Sequence, residues 1–399
     1  MKIGNRARLI LAASVLVTAG FAAGCGDFWQ APSGTSTTGC TTNCTTASSG
    51  IFYILNSGTT PQVVGESIVS GTLTQLSGSP YAVVGVPYAI AISPTGGFLY
   101  VSSTAGIDLY PISSSGALGT ATNISSDQAF AMKVDPSGTW LVDAQQGTSG
   151  VQLDAIPITS TGAYESGSPV QTASFSVAGA AVQPGQLAIS SDGAHVFVAL
   201  GTGGTLVVPF NASAPFPAGT PGTTIQVTHA SGSAVSVAVD PTTRLFYVGE
   251  VLGDSAGTAG GLRVFNYSSL GSTLTQVTGS PFASGGLAPN SILPVATGDY
   301  VYVANGAGTS AGNITGFAIT AAGTSGAPTY AVTTGSTASS GTLPDSLAED
   351  NTGTFLLGVN ASGSPLFDSY TFDTTTAGLL DPQITANIGT APVAIVAVP

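Results

Sequence analysis

Short apolar runs alternate with small and polar turn residues along the whole chain after residue 50, and none of them keeps a helical period long enough for an amphipathic helix. One phrase recurs: a proline or small residue, then an apolar–small–apolar run that ends just before a turn. The copies are YAIAIS (88–93), FAMKVD (130–135), GQLAIS (185–190), VSVAVD (235–240), NSILPV (290–295), DSLAED (345–350) and VAIVAV (393–398), each entered from Pro or Ala. Successive copies start 42 to 55 residues apart. A repeat of about 50 residues made of short strands predicts a β-propeller.

Six copies continue through a turn into a second apolar run: FLYVSS (98–103), TWLVDA (139–144), HVFVAL (195–200), LFYVGE (245–250), YVYVAN (300–305) and FLLGVN (355–360). The seventh copy has no such continuation, and IFYILN (51–56) has the missing pattern at the other end of the repeat region. The expectation is an all-β, seven-bladed β-propeller of four-stranded antiparallel blades. Its first blade is closed by the strand at 392–398 lying beside the strand at 51–56, which hides two sheet edges. Within the second blade the pattern predicts strands at Ala89–Ser93, Phe98–Ser103, Ile107–Ile112 and Leu118–Ile124, separated by turns at 94–97, 104–106 and 113–117. Asp135 and Asp240, each before a turn proline, read as turn caps.

Residues 1–25 have the form of an export signal: Lys2, Arg6 and Arg8 precede an apolar stretch at 9–22 that is short for a membrane span. Ala22-Ala23-Gly24-Cys25 resembles a lipobox, with Ala22 where Leu is usual. On that reading Cys25 carries the lipid and becomes the mature N-terminus; the alternative is an ordinary signal peptide. Gly26 follows in place of an inner-membrane retention aspartate, so the expected address is the outer membrane within the cell envelope. Residues 26–50, rich in Ser, Thr and Gly, predict a tether. Cys40 and Cys44 within it form a local disulfide or stay free thiols. The propeller then occupies 51–399.

Charge narrows the chemistry. Without the leader's three basic residues, Lys133, Arg244 and Arg263 stand against 19 acidic residues, a formal charge of −16. Such a chain lacks the phosphate contacts that nucleic acid demands, and its field repels strongly anionic substrates. No EF-hand or zinc spacing is present, so no metal or other cofactor is assigned; calcium held by loop Asp and backbone carbonyls stays open, with no pattern that specifies it.

The stretch GTLTQLSGSPYAVVGVPYAIAISPTGGFLYV (71–101), echoed by LTQVTGSPF (274–282), resembles the lactonase-type seven-bladed propeller family, which includes bacterial 6-phosphogluconolactonase and fungal carboxymuconate cyclase. The resemblance spans roughly 50–399, and Kelch and WD signatures are absent. It implies lactone hydrolysis by a His directly after the repeat proline, with Arg and Glu around a central cavity. Here those positions hold Tyr88, Phe130, Gly185, Val235, Asn290, Asp345 and Val393, so that set is not carried over. Gly106-Ile107-Asp108 does match a family position, as a ligand contact or a turn cap.

His229, Glu250 and Arg263 gather three of the rarest residue types around the fifth blade. A His base oriented by a carboxylate can activate water, and Arg can hold an oxyanion; a surface ion pair beside an exposed loop His is the bland alternative. Asp108, Asn290, Asn305 and Asp345 are the candidate ligand contacts at the channel. Lys133, unusual in an inner strand, reads as paired with an acidic neighbour or, as the alternative, as lining the channel and binding an anion; His195 reads as an ordinary strand residue, and Arg244 faces the opposite end. Two functions follow: a lactonase acting on a neutral or weakly acidic lactone, or a non-catalytic cell-surface propeller binding a glycan, peptide or protein.

Overall fold

A computed structural model of the protein describes residues 50–147, 150–177, 182–242, 244–268, 271–306, 312–319, 328–333, 343–373 and 378–399. The leader, the tether, Cys25, Cys40 and Cys44 lie outside the described residues. The described residues form seven antiparallel sheets and no helix. The first sheet joins the two ends of the repeat region: Pro392–Ala397 lies innermost and pairs with Gly50–Asn56, with Phe52 opposite Ala397 and Asn56 opposite Pro392. Each of the others takes four consecutive strands, inner to outer, and the second starts at Pro87–Ile92. Blades one and five add a two-residue strand, Tyr81–Ala82 and Phe282–Ala283, each at the end of the repeated Gly-Ser-Pro phrase.

One strand sits elsewhere than the pattern predicts. The outermost strand of blade two is Thr122–Ser125. Leu118 instead makes an isolated bridge to Ile112 and is buried against blade one, so its hydrophobicity marks the end of the turn and not the edge strand.

Small polar residues tie the inner strands into a ring. The Ser236 hydroxyl donates to Pro289 O, Ser291 Oγ accepts Leu347 N at 3.1 Å, and Ser346 Oγ accepts Ile395 N at 3.2 Å. In blade four Gln186 does this, its Oε1 accepting Val237 N at 3.3 Å and its Nε2 donating to Asn290 O at 2.9 Å. The turn caps form as read: Asp135 Oδ1 accepts Thr139 N and Trp140 N, and Asp240 Oδ1 accepts Thr242 N. Gly138, at φ +70°, supplies the left-handed residue that the first of these turns needs.

Seven apolar clusters fill the seven seams between adjacent blades. The seam that closes the ring is as well filled as the others: Phe52 of blade one stacks on Phe367 of blade seven at 5.2 Å between ring centres. Burial is therefore spread around the ring, and the axis is left as the place where seven inner strands cannot meet.

Candidate functional site

The inner strands enclose an axial cavity of about 540 Å³. Its wall is mostly aliphatic, and three acidic or basic side chains interrupt it: Lys133 of blade three, and Asp345 and Glu349 of blade seven. Tyr88 and Phe130, the first residues of the phrase in blades two and three, pack ring to ring at 4.6 Å and line one end of the wall. Asp345 occupies the same position of the phrase in blade seven, so it stands at the level of that aromatic pair.

Asp345 makes no hydrogen bond or ion pair, and desolvation raises its carboxyl from the ordinary carboxylate range to about 6. Lys133 lies three strand positions deeper, about 10 Å along the axis, and on a non-adjacent blade. Its amine also has no partner, so the acidic neighbour expected from sequence is not there. Its side chain is reached by solvent through the cavity but surrounded by protein, and desolvation lowers it from the usual lysine value. Glu349 is raised by burial, but one oxygen accepts Ala296 N at 2.7 Å, which pins it to the blade-six turn.

His229, Glu250 and Arg263 do come together, but away from this wall. Glu250 ends a second strand and Arg263 sits in the third, so they stand one and two strands out from the axis. Arg263 Nη1 lies 2.9 Å from Glu250 Oε1 and 2.7 Å from Gln226 O; its Nη2 donates to Gln276 at 3.0 Å, and the guanidinium covers Phe265. The other Glu250 oxygen accepts Thr228 N at 2.9 Å. The His229 ring Nε2 is 2.8 Å from Asp254 O. The carboxylate is spent on Arg263 and backbone, so it does not orient the imidazole as a catalytic base would need.

Of the four expected ligand contacts, Asp345 alone lines the cavity. Asn290 stands beside it at the rim, its Nδ2 donating to Pro344 O at 3.1 Å. Asn305 is fully buried at the end of a second strand and ties its blade to Ser284 O at 2.7 Å. Asp108 sits in a third strand and accepts Asn123 Nδ2 at 3.1 Å. His195 is a buried strand residue, and Arg244 makes an exposed pair with Asp192 at 3.2 Å. Tyr88, Phe130 and Glu349 were not singled out by sequence; their place in the phrase was the available signal.

The family described as lactonase, 7-bladed beta-propeller, matches residues 69–396. The chain belongs to this family. Its fold is shared with several solved structures. A presumed 6-phosphogluconolactonase from Bacteroides fragilis is 16% identical with a TM-score of 0.68, covering 90% of this chain and all of that one. The periplasmic gluconolactonase of Pseudomonas aeruginosa is 16% identical with a TM-score of 0.66, covering 88% and 99%. A protein of unknown function from Desulfotomaculum acetoxidans is 11% identical with a TM-score of 0.63, covering 87% and 98%. No curated relative matches the chain. Within the lactonase propeller frame, this member presents Asp345 and Lys133 to the channel, with no His or Arg on its wall.

Proposed function

We propose that this lactonase-family propeller hydrolyses a small, uncharged or weakly acidic lactone in its axial cavity, with Asp345 as the general base. The unpaired Asp345 carboxyl, raised to about 6 on the wall of a 540 Å³ cavity, carries the reading. A base is most useful when its pKa lies near the working pH. Asp345 takes a proton from water as the water oxygen bonds to the lactone carbonyl carbon. The tetrahedral intermediate then collapses with cleavage of the ring C–O bond, and the proton goes to the leaving alkoxide to give the hydroxy acid. Tyr88, at the same level of the ring, offers a phenolic hydroxyl to the developing oxyanion. Lys133 is too deep to share that role and holds a polar group at the far end of the ligand. The aliphatic wall and the excess of acids favour a neutral ring over a phosphorylated one.

A second reading is a non-catalytic binding propeller. It is favoured by the cavity wall, which lacks His and Arg and presents the aromatic pair Tyr88–Phe130 as a stacking surface for a sugar ring. On either reading we propose export and a lipid anchor at Cys25, supported by the basic, apolar, lipobox order of residues 1–25; the Pseudomonas relative is itself periplasmic. The deciding experiment is acid release at constant pH over a panel of aldonolactones and muconate-type lactones, with wild type beside Asp345→Asn. Turnover that rises with pH through about 6 and disappears in Asp345→Asn is the expected result. Absence of turnover above the uncatalysed rate leaves the binding reading, and turnover untouched in Asp345→Asn rejects the assigned base.

A further inference from the structure

Away from the axis, three carboxylates meet in the seam between blades two and three. Ligand oxygens of Asp127, Asp143 and Asp154 all lie within 4.8 Å of one another. Asp143 and Asp154 are directly opposite each other on the second and third strands of blade three, and Asp127 belongs to the connection arriving from blade two. Asp143 takes the register position that holds Ile54, Val101, Val198, Val248, Val303 or Gly358 in the other six blades. Six blades thus fill this site with an apolar side chain or none, and one fills it with a fully buried acid.

The acids are not neutralised by the protein. Like charges directly opposite across a ladder destabilise it, and a buried carboxylate without a counter-charge is costlier still. The three basic residues after the leader are engaged elsewhere: Arg244 with Asp192, Arg263 with Glu250, and Lys133 in the channel. Neutral groups make up part of the deficit. Gln145 Nε2 donates to Asp154 Oδ2 at 2.6 Å and to Asp143 Oδ1 at 3.3 Å, Gln152 Nε2 reaches Asp154 Oδ2 at 2.9 Å, and Ser125 Oγ donates to Asp127 Oδ2 at 2.5 Å.

Acceptors are left over. Asp143 Oδ2 and Asp154 Oδ1 are buried with no partner, in side chains 0% and 3% exposed. Across the seam the Ser102 hydroxyl is also buried without a partner, two residues along the same strand face from Tyr100, which packs into this seam. Buried polar atoms in folded proteins are otherwise almost always satisfied. Orphaned oxygens on three clustered carboxyl groups with no nearby cation are what an oxygen-liganded divalent site looks like without its ion.

We propose that Asp127, Asp143 and Asp154 bind one calcium ion, which pins the blade-two connection to blade three. The mixed set of carboxylates, a hydroxyl and an amide suits calcium's loose coordination of six to eight oxygens better than magnesium's strict octahedron. Ser102 lies on the strand face opposite in the same seam, and an amide flip lets Gln145 offer its carbonyl oxygen. The ion has no part in the axial cavity, so the site stands whether or not that cavity is catalytic.

Calorimetric titration of chelator-treated protein with calcium, paired with thermal unfolding, tests this. One ion per chain is expected, with the unfolding midpoint raised by about 5 °C or more at saturation. Asp143→Val, which installs the sister residue, abolishes both responses and without calcium unfolds no earlier than wild type. Asp127→Asn, altering only the half-buried ligand, weakens binding at least about tenfold and decides the matter if Asp143→Val does not fold. Silence toward calcium, magnesium and manganese up to ~10 mM, beyond the weakest sites of this class, overturns the proposal. So does calcium binding unchanged in both variants.

Discussion

Blade five and the axial cavity both collect rare ionisable side chains, and they treat them in opposite ways. In blade five each has a protein partner: Glu250 with Arg263 and Thr228, Arg263 also with Gln226 and Gln276, His229 with Asp254. In the cavity Asp345 and Lys133 face open space with none. A buried charge with a matched partner is scaffold, because removing either side strands the other. A desolvated acid left unmatched on a cavity wall is kept at a cost in stability, which marks it as functional. Chemical rarity alone does not separate the two cases; partnering does.

The largest expected break in that comparison is Asp345→Asn, which lowers lactone turnover by about 10³-fold, within the range for a lost general base. Urea unfolding of the same variant shows no loss of stability, because no native contact is removed. Glu250→Ala does the reverse. It leaves the largely buried Arg263 without its counter-charge and costs about 3 kcal/mol in urea unfolding, while turnover per folded molecule stays within about twofold of wild type.

The repeat phrase makes the architecture legible in the sequence, down to the pairing of residues 51–56 with 392–398, because each blade solves the same packing problem with the same pattern. It also made the blade-five grouping legible, since Glu250 and Arg263 sit on paired strands. It did not say which strand faces the axis at each residue. Glu250 and Arg263 look like channel residues in a linear pattern, yet they lie one and two strands out, at about 5 Å per strand. Of the two readings open for Lys133, an acidic partner or a place on the channel wall, the structure shows the second, and the cavity keeps the side chain in contact with solvent. The cluster of Asp127, Asp143 and Asp154 escaped notice because its members come from three segments that no linear motif joins.

Two smaller effects sharpen the contrast. Lys133→Met is expected to raise KM about tenfold with little change in kcat, since the amine touches the ligand and not the reacting atoms; steady-state kinetics on the best lactone checks this. The pH dependence of unfolding is subtler. Asp345 has a folded-state pKa raised to about 6, so its contribution to stability is fully present below the ordinary carboxylate value near 4 and is lost as pH rises through about 6. Urea midpoints measured from pH 4 to pH 7 should therefore fall less in Asp345→Asn than in wild type.

The most direct test is a pH–rate profile for lactone hydrolysis, recorded for wild type, Asp345→Asn and Glu250→Gln side by side. A wild-type rise through about pH 6 is expected, retained in Glu250→Gln and lost in Asp345→Asn. Activity that survives in Asp345→Asn and vanishes in a folded Glu250→Gln would contradict the assignment of Asp345 and move the reaction from the axis to blade five.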